Sequence, residues 1–189
     1  MDGNYNNLKS RLSSYFYYIY FRSILFLIPK KEKYVFVDID NTVTAYGGRF
    51  LKYSDGKHCD YKKANSFFEL IGETPLNGSY RYIKSLSKKK KIIWFTARSI
   101  KYLVATYIWL YRNGFPIRLI VFTGQTIRKV EFLKLFLCSR EVEFIIDDMR
   151  EGYEFMNPKF VDDYKKYIED NNIPYSNKIP VDKILKRTK

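Results

Sequence analysis

The stretch Tyr34-Val35-Phe36-Val37-Asp38-Ile39-Asp40-Asn41-Thr42 decides the reading of this chain. Four apolar residues, β-branched or aromatic, suit a strand covered on both faces of a sheet. The run then ends in two aspartates one residue apart, with a threonine two further on. In a continued strand, residues i and i+2 point to the same side, which brings Asp38 and Asp40 close together. Like charges at that range repel, and one carboxylate protonates unless a cation holds the pair. A sharp turn after Asp38 and a bound divalent ion are both expected.

Two more apolar runs end in the same abrupt way. Lys91-Ile92-Ile93-Trp94-Phe95-Thr96-Ala97-Arg98 ends in a hydroxyl, and Phe144-Ile145-Ile146-Asp147-Asp148 ends in paired acids. Between them, Arg128 to Leu137 reads as a helix carrying lysines. In this order the four segments resemble the four motifs of the haloacid dehalogenase (HAD) superfamily, over roughly Lys33 to Glu154. The resemblance implies an α/β fold: a three-layer, Rossmann-like parallel sheet with helices on both faces. To this the chain adds an N-terminal apolar helix. The expected organisation is residues 1–32 as that helix, 33–175 as the catalytic domain and 176–189 as a basic tail.

Strand and helix signals alternate as parallel crossovers require. After Thr96, Ser99 can cap a helix whose apolar stripe is Ile100, Leu103, Val104, Tyr107 and Tyr111, stopped by Arg112 and Gly114. Leu119 to Phe122 is the next strand, and Thr123 to Thr126 a loop into the lysine-bearing helix. Val161 to Glu169 reads as a short helix, and Asn171 to Pro174 as a turn. The segment Lys183 to Lys189 reads as a loose basic end.

Open parallel sheets bind ligands beyond the carboxyl ends of their strands. Asp38, Thr96 and Asp147 therefore share one edge. Lys129, near the start of its helix, faces that edge. Lys134 lies about 7.5 Å farther along and about 140° around. Lys129 is thus preferred, with Arg128 and Lys134 as the alternatives.

The resemblance implies the chemistry of a Mg2+-dependent phosphomonoester hydrolase. Asp38 is the implied nucleophile, forming an aspartyl-phosphate. Asp40 is the implied acid for the leaving oxygen, and then the base for water. Thr96 and Lys129 bind the transferring phosphoryl oxygens. Asn41, Thr42, Ala97 and Arg98 form the implied substrate-binding set. Asp147 and Asp148 hold the metal with Asp38 and the Asp40 main-chain carbonyl. An oxygen-only set favours Mg2+ over zinc.

No large cap fits between Thr96 and Lys129. The 48 residues between Thr42 and Lys91 include a turn, where Gly47 and Gly48 belong, and a helix from Pro75 to Leu86. About two dozen residues around Arg49 to Gly72 remain, enough for a miniature cap. An open site suits a glycan, lipid or nucleic-acid phosphate, or a nucleotide in a homo-oligomer. Thr96-Ala97-Arg98 resembles polynucleotide phosphatases and some nucleotidases of the superfamily, so a 3′-phosphatase is the alternative specificity. A non-catalytic binding module tethered to a membrane or complex is the alternative outside enzymes.

The 189 residues carry a formal charge of +14, which attracts phosphate-bearing partners without choosing among them. Cys59 and Cys138 match no disulfide or metal spacing, pointing to a reducing, cytoplasmic setting. His58 is the only histidine and sits in a polar loop; Lys88 to Lys91 precede a strand on the edge away from the site. Residues 12–28 are aromatic, interrupted by Arg22 and flanked by Lys9, Arg11, Lys30, Lys31 and Lys33. That segment is too polar to span a bilayer confidently. It either packs across the domain or a partner subunit, or lies on an anionic membrane surface as a peripheral contact.

Overall fold

The computed structural model describes residues 2–45, 48–55, 58–149, 158–177 and 179. Five strands, β1 (Lys33–Val37), β2 (Lys91–Thr96), β3 (Ile120–Phe122), β4 (Glu141–Ile146) and β5 (Tyr175–Ser176), form one sheet in the order β3-β2-β1-β4-β5. Every pairing is parallel, with Val37 beside Trp94 on one side and Ile146 on the other. The helices are α1 (Asp2–Phe26), α2 (Gly48–Lys52), α3 (Tyr61–Ala64), α4 (Phe67–Gly72), α5 (Ser79–Ser87), α6 (Leu103–Arg112), α7 (Ile127–Leu137) and α8 (Pro158–Asp170).

Alternation along the strands divides the interior into two cores. Tyr34, Phe36, Ile93, Phe95, Val121 and Ile145 face α1, α7 and α8. Val35, Val37, Ile92, Trp94, Ile120, Phe122 and Ile146 face α5 and α6. The sheet is covered on both faces, and beyond the exposed lysine that starts each of β1 and β2 their residues are buried. The first core is built from edge-to-face aromatic rings: Phe132 lies 5.2 Å from Phe21, and Phe36 lies 4.9 Å from both Phe95 and Phe136.

The N-terminal helix is anchored by polar contacts as well as rings. Tyr20 Oη accepts a 3.2 Å bond from Phe122 N, covering an amide of the edge strand β3. Burial pushes the Tyr20 phenol up to about 12. Arg140 donates to the carbonyls of Leu25 and Ile28, satisfying the otherwise open end of α1. Half of the aromatic stripe thus packs into the domain. The opposite half is exposed.

Two sequence expectations shift. A 3-10 turn, Ile100–Tyr102, precedes α6, and the buried face of α6 is Ala105, Thr106, Trp109 and Leu110. Leu103, Val104 and Tyr111 of the expected stripe are exposed. The indole of Trp109 decides the rotation: it is fully buried, stacks on Phe115 and donates a 2.7 Å bond to Glu73 O. The helix expected from Pro75 begins instead at Ser79, because Pro75 and Leu76 bridge to Thr44 and Val43. Gly48 opens α2, whereas Gly47, Glu154 and Lys183 to Lys189 lie outside the described residues. Ser176, placed in the tail by sequence, completes β5.

Truncating the ring that joins α1 to the sheet tests whether the helix is part of the core. Phe21→Ala should destabilise the whole protein by about 3–5 kcal/mol in denaturant unfolding. A cost below about 1 kcal/mol would mean that α1 is an independent appendage.

Candidate active site

Asp38 follows the last residue of β1, and its amide continues the pairing by donating 2.8 Å to Ile146 O. The chain then leaves the sheet. Val43 N and Thr44 N both return to Ile39 O, Asn41 takes a positive φ of 56°, and Asn41 N donates to Thr44 Oγ1. Asparagine tolerates that left-handed conformation better than most residues. The turn separates the two aspartates, so that each faces its own set of charges.

On one side stand Asp38, Asp147 and Asp148, with carboxylate oxygens within 4.8 Å of one another. Asp147 follows the last residue of β4, Asp148 N donates to Thr42 Oγ1, and Met149 N donates to Asp147 Oδ1. The cation among them is Lys129, from the first turn of α7. Its Nζ lies 2.7 Å from both Asp38 Oδ1 and Asp147 Oδ2. Of the other basic candidates, Lys134 is exposed and faces the Tyr167 ring, while Arg128 binds Ser13 and covers Tyr17.

Burial opposes the charge on Lys129, but Asp147 and Asp38 outweigh it and hold the amine above its usual range. Burial pushes Asp38 up, with repulsion from Asp147, Asp40 and Asp148 adding to it and Lys129 acting against it. Asp148 is pushed up to about 7, by burial first and the neighbouring Asp147 second. Asp148 Oδ2 is buried without a hydrogen-bond partner among the described residues.

On the other side Asp40 meets two arginines. Arg98 holds it through Nη2 at 2.7 Å and Nε at 3.0 Å, and Arg49 Nη2 lies at 2.8 Å. Glu73 joins both arginines, at 2.8 Å from Arg98 and 2.5 Å from Arg49. The Arg98 and Arg49 side chains are only 1% and 2% exposed, so these pairs are shielded from solvent. Burial would raise Asp40, but Arg49 and Arg98 hold its carboxyl well below the usual range. Glu73 is raised, by burial and by repulsion from Asp40.

The two clusters differ in balance. Asp40 and Glu73 are matched by Arg49 and Arg98. Among the described residues, Asp38, Asp147 and Asp148 are ion-paired only with Lys129, an excess of two negative charges within that group when all are ionised. One divalent cation removes that excess, and the donors are all oxygen. A hard ion therefore fits this site, held by Asp38, Asp147 and Asp148. The Asp40 carboxylate lies outside this group, turned to its arginines.

Both clusters open into a cavity of about 560 Å³. Asp38, Asp40, Ala97, Arg98, Lys129, Asp147 and Asp148 of the sequence-derived set line it. Asn41, Thr42 and Thr96 do not line it. Thr96 is fully buried and its Oγ1 accepts from Arg98 N, fixing the turn that carries the arginine. Sequence reasoning missed Arg49, Glu73 and Tyr164. Arg49 and Glu73 are one basic and one acidic residue among many, with no spacing signal that links them. Only the apolar periodicity of Val161, Tyr164 and Ile168 could have placed Tyr164 on an inward face.

No protein-family model matches the chain, and neither does any curated protein sequence. Its fold is similar to that of a class C acid phosphatase from Bacillus anthracis, solved with tungstate bound. That match has a TM-score of 0.52 and 18% identity, over 96% of this chain and 80% of the other. It is also similar to a chain in the structure of the Pnkp1/Rnl/Hen1 RNA repair complex, with a TM-score of 0.50 and 21% identity over 78% of this chain. There the chain spans less than half of the matched protein, 42% of its length. At these identities the similarity establishes the fold.

The charge balance has a pH signature. The raised Asp148 contributes stability to the metal-free protein that is fully present below its ordinary value of 3.8 and lost as pH rises through about 7. In EDTA, Tm should therefore fall as pH is raised across that window. Asp148→Asn should flatten the slope, and an unchanged slope would remove Asp148 from the imbalance. In the other cluster, Arg49→Met leaves a buried Glu73 with one partner instead of two. It should cost about 3–5 kcal/mol in chemical denaturation, whereas an effect under about 1 kcal/mol would make the pair dispensable.

Proposed function

We propose that this chain is a phosphomonoester hydrolase of the HAD type that works through an aspartyl-phosphate on Asp38. The observation that carries the reading is Asp38 at a strand end, within a group of three acids whose ion-pair partner among the described residues is the buried Lys129. Four acids that merely capped turns would not be concentrated in one cavity with a buried lysine. Similarity in fold to an acid phosphatase supports the same class.

In this reading an Asp38 oxygen attacks phosphorus, and the bond from phosphorus to the leaving oxygen breaks. Asp40 takes up a proton from solvent as the entering phosphate draws its arginines away, gives that proton to the leaving oxygen, and is ionised again. Water then attacks the acyl phosphate and yields its proton to Asp40, releasing inorganic phosphate; return of that proton to solvent restores both aspartates. Lys129 neutralises the phosphoryl oxygens as charge gathers on them. The Thr96 oxygen already accepts from Arg98 N, which leaves its hydroxyl hydrogen to donate. Asp38, Asp147 and Asp148, with the Asp40 main-chain carbonyl, would hold Mg2+, which would supply charge neutralisation for the phosphoryl group.

Asp40 at rest holds no proton, since Arg98 and Arg49 keep it ionised. A dianionic phosphoryl group entering the cavity competes for those guanidinium donors. Each one turned toward the phosphate leaves Asp40 more basic, and so more able to carry the proton it must give. This makes Arg98 and Arg49 substrate-responsive as well as structural.

Among substrates, a nucleotide or polynucleotide end has specific support. Phe50, Tyr61 and Tyr102 line the cavity with Lys101 beside them, offering rings for base stacking and a cation for a phosphate. The net charge of +14 and the fold shared with a chain of an RNA repair complex point the same way.

Hydrolysis of an aryl phosphate should require Mg2+, stop with EDTA, and fall at least about 10³-fold in Asp38→Asn. A 3′-phosphorylated oligonucleotide should be the better substrate if the aromatic rim binds a base. A folded protein with no activity on either, and biological effects intact in Asp38→Asn, would make this a binding module.

A further inference from the structure

Helix α1 is apolar on both sides, and only one side is covered. Tyr17, Phe21 and Leu25 face the core, whereas Leu12, Phe16, Ile19 and Phe26 lie on the opposite side of the helix, all exposed. Tyr15 widens this outer stripe, and Leu27 extends it just past the helix end. Phe26 is 89% exposed and Leu27 67%. A helix apolar all round requires a second covering surface.

The charges around the stripe select that surface. From Gly3 to Lys31 there is no acidic residue, while Lys9, Arg11, Arg22, Lys30 and Lys31 are all basic. At the end of the stripe, Leu27 and Pro29 share a groove with Lys88, Lys89 and Arg118. Neighbouring Lys90 and Lys91 are paired with Glu143 and Glu32. Lys30, Lys31, Lys88 and Lys89 are exposed and make no ion pair among the described residues. An apolar stripe with tyrosines along it and unpaired cations beside it complements a layer of anionic headgroups over acyl chains. A second copy of the same face would instead bring cation to cation. A phosphate backbone would leave Leu12, Ile19 and Leu27 without a partner.

We infer that the outer face of α1, with the lysines at its end, docks the protein onto an anionic lipid membrane, the helix lying in the interface. No helix among the described residues is long and apolar enough to cross a bilayer. The attachment is therefore peripheral. It holds whatever substrate the cavity takes, because Lys88 and Lys89 precede β2 at the sheet edge opposite the one carrying Asp38.

The test is flotation of the full chain with phosphatidylcholine vesicles, with and without phosphatidylserine. Flotation should require phosphatidylserine and weaken roughly fivefold for each of Lys30→Gln and Lys31→Gln. The triple change Phe16→Gln, Ile19→Gln and Phe26→Gln leaves the charge untouched and should abolish flotation, with thermal melting unchanged because all three side chains are exposed. Persistent flotation of the triple variant would reduce the contact to nonspecific charge and overturn the proposal. So would the absence of flotation in the wild type. A solution dimer dissolved by the same triple change would assign the stripe to a second copy. RNA binding lost by that change without any vesicle binding would assign it to nucleic acid.

Discussion

Carboxylates brought out of water at the ends of parallel strands must be neutralised, and the whole site is arranged around that requirement. Here the sheet delivers Asp38 and Asp147 from neighbouring strands, with Asp148 one residue further. The turn at Asn41 sends Asp40 away from them toward Arg49 and Arg98. The result is a balanced cluster next to an unbalanced one. The balanced side is buried and fully ion-paired. Among the described residues the unbalanced side is ion-paired only with Lys129, and this suits it to a divalent ion.

The same arrangement couples the sheet to the short helices between Asp40 and β2. Arg49 lies in the first turn of α2, Glu73 follows α4, and Trp109 of α6 holds the Glu73 carbonyl. Segments that look like loose insertions are thereby tied to the turn carrying Asp40 through two buried arginines. On the proposed reading, a phosphate drawing on Arg98 would be felt across this ring of contacts.

Much of the fold was readable because its signals were strong and local. Three buried runs ending in Asp38, Thr96 and Asp147 announced a parallel sheet and its functional edge. A helix start placed Lys129 by geometry. The arginine cluster was not readable, since Arg49 and Glu73 are one basic and one acidic residue among many, joined only by tertiary folding. The rotation of α6 was missed for a different reason. Its outer face is as apolar as its inner one, so periodicity could not tell them apart, and the bulk of Trp109 decided. The same ambiguity attended α1, where apolar residues run around the whole helix and the structure covers only half.

The most direct test of the charge imbalance is calorimetric titration of the substrate-free protein with Mg2+ near neutral pH, in buffers of differing ionisation enthalpy. One ion should bind per chain, with net proton release as Asp148 gives up the proton it holds below about 7. Asp148→Asn should remove that release, and Asp147→Asn should weaken binding by at least about tenfold. No binding, or binding indifferent to Asp147 and Asp148, would contradict the assignment of these carboxylates to a cation.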